Sequence, residues 1–435
     1  SALFLIPLRP FIDTSHTMPY LLVLRQLSPL FLVTAIVLLC HLQTGFESPL
    51  AAVVLFVFLS LIPAVFDMSM WWHPDALALL FVVLTIFALN RDQLRFGRWF
   101  YVAAAFCGLA TGTKLLGVWF FFAVAVYLGL GFTSLGVRGV MRHAVGFVAV
   151  MLLAIAISNP LILWPRFARQ IVAGHMSAIS QLRSGRDVRK PLGIVAWYPA
   201  LRDGFGGWWI YAFVIAACLG GLFASSGKRL LNIIIVAWCI PLALWLFFAA
   251  DYKPERYFLP VLIPLFSCVG QLISRRGLAI TVASVVAITA QTAMYARTDT
   301  GKYWDMTHRE VQSPSLNFYR RLDHVYLSHM PSNLRVRVFR DPYVYFPSWK
   351  NVDAHYVWRA ARYSDIRPLE PDLIVLQQDY IGTYADPATE AVAVDADEAR
   401  ASRPLYEDAR HDRIPGYRKI LETPFAIAFA RAVNE

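Results

Sequence analysis

In the stretch WWHPDALALLF, from Trp71 to Phe81, a histidine, a proline and an aspartate stand at the mouth of an apolar run. Pro74 suits the first helical position, where its missing N–H needs no partner. Asp75 in the first turn is favoured by the helix dipole. Trp71 and Trp72 suit a membrane interface. A well-made helix start accounts for each residue singly. His73 and Asp75 also carry chemistry, because an imidazole and a carboxylate at a helix end can move a proton, hold a metal or orient a sugar hydroxyl. Asp67 lies in the same loop.

Two further stretches set cations beside apolar runs. In GLATGTKLLGV (108–118), Gly108, Gly112 and Thr113 allow a tight break between two apolar segments, and Lys114 stands at the break. Such a lysine either snorkels to water or neutralises a lipid phosphate. In DYKPERYFLPVLIPLF (251–266), Lys253, Glu255 and Arg256 precede Tyr257, Pro260 and Pro264. Prolines within a span free backbone carbonyls, which a membrane protein tolerates beside a cavity. Arg256 is either satisfied by Glu255 or backbone, or grips a phosphate with its planar fork. A carboxylate near several cations suits binding of a lipid-linked phosphosugar and transfer of its sugar. The cations would hold the phosphate and stabilise the leaving group. The carboxylate would deprotonate the acceptor or bind a divalent metal.

The elements that position these groups follow from composition. The chain has 435 residues, of which 57% are hydrophobic and only 16% charged; soluble domains carry about 25% charged residues. Long uncharged runs fill the first part of the chain, whereas the last part has ordinary soluble composition. We therefore divide the chain into a transmembrane domain, 1–295, and a soluble α/β domain, 296–435. Candidate spans are 19–41, 49–66, 74–90, 99–111, 115–132, 143–158, 207–224, 230–250, 257–273 and 277–295. The five cysteines all lie in apolar runs, which argues against paired disulfides and a Cys-ligated metal.

The net charge is +11, but in a membrane protein its location matters more than its sum. The loops RDQLRFGR (91–98), TSLGVRGVMR (133–142), SSGKR (225–229) and SRRG (274–277) are basic, whereas DMSMWWH (67–73) has no Lys or Arg. The positive-inside rule puts the basic loops in the cytoplasm. Asp75, Lys114, Arg256, the 159–206 segment and the C-terminal domain then lie on the extracytoplasmic face. Segment 159–206 mixes Trp, Ile and Leu with Arg166, Arg169, Arg183, Arg186, Arg189, Lys190 and Arg202. It fits amphipathic pieces lying along that membrane surface. The cations are accounted for by loops, interfacial anchors and anionic lipid, and no nucleic-acid partner is expected. In the tail, we expect a capped helix near 315–330, strands near 333–340 and 371–378, and a closing hairpin over 419–432 turning at Thr423–Pro424. His308, His324, His329 and His355 are not at ligand spacings.

Taken together, LRQLSPLFLVTAIVLL (24–39), HPDALALLFVVLTIFAL (73–89), GLATGTKLLGV, NPLILWP (159–165) and KPERYFLPVLIPL (253–265) resemble the GT-C glycosyltransferases. The similarity is to the polyprenyl-phosphate-dependent branch that includes protein O-mannosyltransferases and aminoarabinose transferases. The resemblance implies a polytopic α-helical membrane protein with about 10 membrane-embedded helices and a small extracytoplasmic α/β domain. It implies a multi-pass protein of the plasma (inner) membrane. The implied activity is inverting transfer from a polyprenyl-phosphate sugar to a glycan, lipid or protein acceptor. By position, Asp75 matches an acidic residue near the acceptor or a metal, with His73 beside it. Lys114, Arg256 and Tyr257 fall near the lipid phosphate. His175 falls where some members carry a functional histidine, and Arg186 shares its basic segment.

The pattern departs from the family at the start of the chain. Members carry an additional N-terminal helix and a first outer loop with an acidic residue taken as the catalytic base. Here Asp13 is the only carboxylate ahead of Arg25, at a spacing that does not match; it is retained as a candidate catalytic residue. Either that segment is missing, another membrane subunit supplies it, or the chain is a non-catalytic GT-C-like subunit that binds lipid or a partner protein. A transporter is the weaker alternative, since transporters place ionisable groups near the midplane.

Overall fold

The computed structural model describes residues 18–71, 73–171, 173–174, 191–223, 226–250, 253–275, 277–308, 313–331, 334–346, 351–393 and 395–432. They fall into two compact units that divide between Thr300 and Gly301.

The first unit is helical. It opens with α1 (Met18–Thr44) and, after the bent pair α2 (Pro49–Ser60) and α3 (Pro63–Ser69), α4 (Pro74–Asp92). There follow α5 (Arg98–Thr113), a 3-10 turn at Leu115–Trp119, α6 (Phe120–Leu130) and α7 (Phe132–Ser158). Further along come α8 (Ile194–Phe205), α9 (Trp208–Leu222), α10 (Ser226–Ala249), a 3-10 turn at Glu255–Phe258, α11 (Leu259–Ser267), α12 (Gly270–Arg275) and α13 (Leu278–Thr307). Among the described residues, six helices are long and apolar enough to cross a membrane, or eight if the bent pairs α2–α3 and α8–α9 each count once.

The ten expected spans resolve differently for a physical reason. The 99–111 span is α5, with 16 residues, about 24 Å long at 1.5 Å per residue. That is short of the roughly 30 Å hydrocarbon core. Its neighbour over Leu115–Leu130 is also a short apolar helix. The chain breaks between them at Lys114. The basic stretch 133–142, expected as a loop, is helical and belongs to α7, with a break at Gly136, where φ is 62°. α8 buries Trp197, Leu201, Gly204 and Phe205 along one face, as an amphipathic piece should, and meets α9 at 85°.

One continuous apolar core joins α4, α5, α10 and α11, with Phe58, Phe100, Phe120 and Trp238 among its buried side chains. At the end of α4 remote from His73, the carboxylate of Asp92 accepts from the backbone N–H of Phe96 at 2.7 Å and Gly97 at 2.9 Å, and from the Tyr127 hydroxyl at 2.9 Å. It organises the Arg-bearing turn into α5.

The second unit follows with α14 (Pro314–Val325), capped by the Ser313 hydroxyl, and a five-stranded sheet. The strands are β1 (Val336–Arg340), β2 (Val352–His355), β3 (Leu373–Gln377), β4 (Tyr417–Glu422) and β5 (Ala426–Arg431), in order β2-β1-β3-β5-β4. β1 pairs parallel with β2 and β3, and β5 pairs antiparallel with β3 and β4. Side chains alternate between two cores. Phe339, Ile374, Leu376 and Phe429 face one, and Val338, Leu373, Val375 and Ala428 face the other with Phe318 and Leu322 of α14. β3 is buried throughout, which explains its apolar run LIVL.

A buried carboxyl ties these strands together. Asp341, just beyond β1, accepts from the Gln377 N–H at 2.7 Å and the Tyr406 hydroxyl at 2.9 Å. Burial nevertheless pushes its pKa up to about 7. An acid with a higher pKa folded than unfolded binds more protons in the folded state, so stability falls as pH rises from about 4 to 7. The full shift corresponds to on the order of 4 kcal/mol. Amide exchange of β3 and β5, corrected for intrinsic rate, should therefore be faster at pH 8 than at pH 5. Equal protection at both pH values would contradict this assignment.

Candidate functional site

Three chain breaks converge at one end of the helical unit. The first is the start of α4. His73 is its N-cap, with φ −142° and ψ 143°, Pro74 is the first helical residue, and Asp75 follows in the first turn. The second is the end of α5, where Lys114 is extended at φ −160° and ψ 100° before the 3-10 turn at Leu115–Trp119. The third is the 3-10 turn Glu255–Phe258 that follows Pro254 and leads into α11.

Lys114 reaches Asp75 because the chain turns back tightly on α5. A Cβ on Gly117 would lie 2.2 Å from the Cys107 carbonyl oxygen and 2.7 Å from the Thr111 nitrogen, both backbone atoms. Only glycine allows that approach. From the other side, the Asn159 amide donates to the Gly112 carbonyl at 3.1 Å. Gly117→Ala is expected to destabilise the fold by roughly 1–3 kcal/mol through forced backbone movement. It should lower the thermal midpoint in detergent and displace Lys114. An unchanged midpoint would show that the turn relaxes freely.

The carboxylate of Asp75 is the hub. Lys114 Nζ pairs with Oδ1. His73 Nδ1 lies 2.7 Å from Oδ2, and Arg256 Nε lies 3.8 Å from the same oxygen. The Tyr257 ring backs both cations: Lys114 Nζ is 4.4 Å and Arg256 Cζ 5.7 Å from its centroid, within cation–π range. Asp75 is 1% exposed, whereas Lys114, Arg256 and His73 are 26%, 31% and 35% exposed. The carboxylate is sealed and its partners are reachable. Two basic side chains against one carboxylate leave basic groups in surplus at the accessible surface.

His73 has two relations to Asp75. With Nδ1 unprotonated, it accepts from the Asp75 backbone N–H at 3.4 Å and caps the helix. With Nδ1 protonated, it meets Oδ2 at 2.7 Å. The shorter contact favours the second tautomer, which leaves Nε2 with a free lone pair.

The Arg256 partner resolves one open alternative. Its ion pair is with Asp75, and its Nε makes no hydrogen bond among the described residues. Glu255 turns the other way, against Gly204 of α8, where an added Cβ would lie 2.8 Å from Glu255 Cβ.

A divalent metal does not fit this donor set. Both oxygens of Asp75 already face cations or an imidazole, so a metal would have to displace Lys114 or sit against Arg256. Among the described residues, no group of three or more His, Cys, Asp and Glu side chains could hold one.

Thus the structure brings together His73, Asp75, Lys114, Arg256 and Tyr257 of the sequence candidates. Asp13, His175 and Arg186 lie outside the described residues. The sequence reading missed Asp92, having treated it as part of a basic loop. Its signal was an Asp four residues before the F-G that leads into the next helix, where a short carboxylate can bond nearby backbone N–H groups.

No family model and no curated protein matches the sequence. Solved structures do match along nearly its whole length. ArnT from Cupriavidus metallidurans bound to undecaprenyl phosphate is 13% identical with a TM-score of 0.50, covering 94% of this chain and 83% of that one. The archaeal oligosaccharyltransferase AglB from Archaeoglobus fulgidus, in complex with an inhibitory peptide and a dolichol-phosphate, is 12% identical with a TM-score of 0.48. That match covers 93% of this chain, which spans 62% of the archaeal chain. The likeness to ArnT is one of fold: the chain is a polytopic α-helical membrane protein with a small C-terminal α/β unit.

Proposed function

We propose that this chain is a membrane glycosyltransferase that moves a sugar from a polyprenyl-phosphate donor to a glycan, lipid or protein acceptor. One observation carries the reading: a sealed carboxylate, Asp75, gathers two reachable cations, Lys114 and Arg256, at one end of the helical unit. That arrangement is an anion site with a positive surplus. The likeness in fold to ArnT, whose structure holds undecaprenyl phosphate, supports a lipid phosphate as that anion.

In this reading Lys114 and Arg256 grip the donor phosphate, and Tyr257 steadies both. As the acceptor oxygen bonds to the anomeric carbon, the carbon–oxygen bond to phosphate breaks with inversion. The electron pair leaves on the phosphate, where the two cations stabilise it. His73 takes the acceptor proton on Nε2, and Asp75 holds the imidazole in that tautomer. Asp75 is then a positioning residue, too buried to touch the acceptor. The basic turn around Arg91, Arg95 and Arg98 lies at the opposite end of α4, about 28 Å away at 1.5 Å per residue. By the positive-inside rule that end is cytoplasmic, so transfer occurs on the extracytoplasmic face of the plasma membrane.

The test is release of free polyprenyl phosphate from labelled polyprenyl-phosphate sugars by the protein in liposomes, with and without candidate acceptors. Acceptor-dependent release supports the reading. Tight donor binding without release by any acceptor would instead favour a non-catalytic lipid-binding subunit.

A further inference from the structure

We infer that the C-terminal unit carries a saccharide-binding cleft between α14 and the starts of β1 and β2; as an acceptor subsite, the inference rests on the transferase reading above. The cleft has a volume of about 380 Å³, in the range of small-molecule pockets. It is lined by Tyr319 and Asp323 from α14, Ser328 from the following turn and Asn351 before β2. Val336 and Val352 supply an apolar floor.

The strongest pointer to a ligand is Tyr319. The residue is 7% exposed, and its hydroxyl has no hydrogen-bond partner among the described residues. A buried hydroxyl without a partner is unfavourable, and a ligand hydroxyl would satisfy it. The ring itself is fixed edge-on against Tyr345 and Phe346, with centroids 5.7 and 5.6 Å away. Tyr319 and Asp323 are four residues apart on one helix, so they share a face.

The donor set selects the ligand class. A phenol, a carboxylate, a hydroxyl and a carboxamide match the vicinal hydroxyls of a sugar, each of which both donates and accepts. The valine floor suits the C–H face of a pyranose or furanose ring. Among the described residues, none that line the cleft is Lys or Arg, and Asp323 repels anions. The cleft therefore suits neutral sugars rather than phosphates, and it complements the anion site around Asp75 in chemistry. A transferase that elongates a glycan needs such a place for the acceptor's sugar units.

Saturation-transfer NMR on the full-length protein in detergent tests this, with methyl glycosides of glucose, galactose, mannose and arabinose as probes. We expect at least one to bind. Tyr319→Phe keeps the ring packing and should weaken that binding roughly three- to tenfold, and Asp323→Asn should weaken it similarly. Asp75→Asn should leave it unchanged. Absence of binding by every probe, or equal binding by Tyr319→Phe and Asp323→Asn, overturns the cleft. Binding that depends on Tyr319 in a protein that transfers no sugar upholds the cleft and refutes the transferase reading.

Discussion

The Asp75→Asn variant is expected to transfer sugar at least about 100-fold more slowly than the parent chain while folding normally. The substitution preserves shape and removes one negative charge. Lys114 and Arg256 then face each other without the carboxylate that holds them, and His73 loses the acceptor that fixes its tautomer. A buried ion pair broken on one side can be strongly destabilising. Here both cations are about a quarter to a third exposed, so water compensates much of that loss. The dominant effect should be on geometry at the phosphate and on proton transfer, and so on kcat as well as KM. The measurement is acceptor-dependent release of polyprenyl phosphate per folded molecule, paired with a thermal midpoint. A purely structural role would lower the midpoint and leave activity per folded molecule intact.

The Arg256→Ala variant should lose about 10- to 150-fold in kcat/KM, the value of one charge-assisted hydrogen bond of roughly 1.5–3 kcal/mol. Arg256→Lys restores the charge but not the planar fork, so it should recover only part of that loss. The pair of variants separates charge from geometry. If Arg256 merely neutralised Asp75, lysine would restore activity fully. If it recognises phosphate through two parallel N–H donors, lysine remains well below arginine. Comparing both variants on one donor gives the answer directly.

Much of the site was legible because its pieces sit at chain breaks. Pro74 and the two tryptophans marked a helix mouth, Gly108, Gly112 and Thr113 marked a break at Lys114, and Arg256 stood just ahead of a span carrying Pro260 and Pro264. The alternation of basic and uncharged loops put all three at one end. What could not be read was who pairs with whom. Glu255 is adjacent to Arg256 in sequence and looks like its partner, yet neighbouring residues in a turn point apart. The true partner, Asp75, lies far away in the chain, and only packing of α4 against α5 and α11 brings it near. Burial of Asp75 was hidden for the same reason, so its part as hub could not be told from that of a base or metal ligand.

The fold shows the same division. The α/β tail was readable from the alternation of helix and strand signals and from LIVL, an apolar run that suits a strand covered on both faces. The transmembrane count was not, because the helices on either side of the Lys114 break are short and the basic stretch 133–142 is helical rather than a loop. Helix length and continuity are set by packing, and composition carries no record of them.

The most direct test of the phosphate site is binding of undecaprenyl phosphate and of undecaprenol, its phosphate-free alcohol, by native mass spectrometry of the purified protein. The account predicts clear preference for the phosphate in the parent chain. It predicts that Arg256→Ala and Lys114→Met each abolish most of that preference while leaving binding of the alcohol unchanged. Equal binding of both lipids by the parent, or an undiminished preference in both variants, would contradict it.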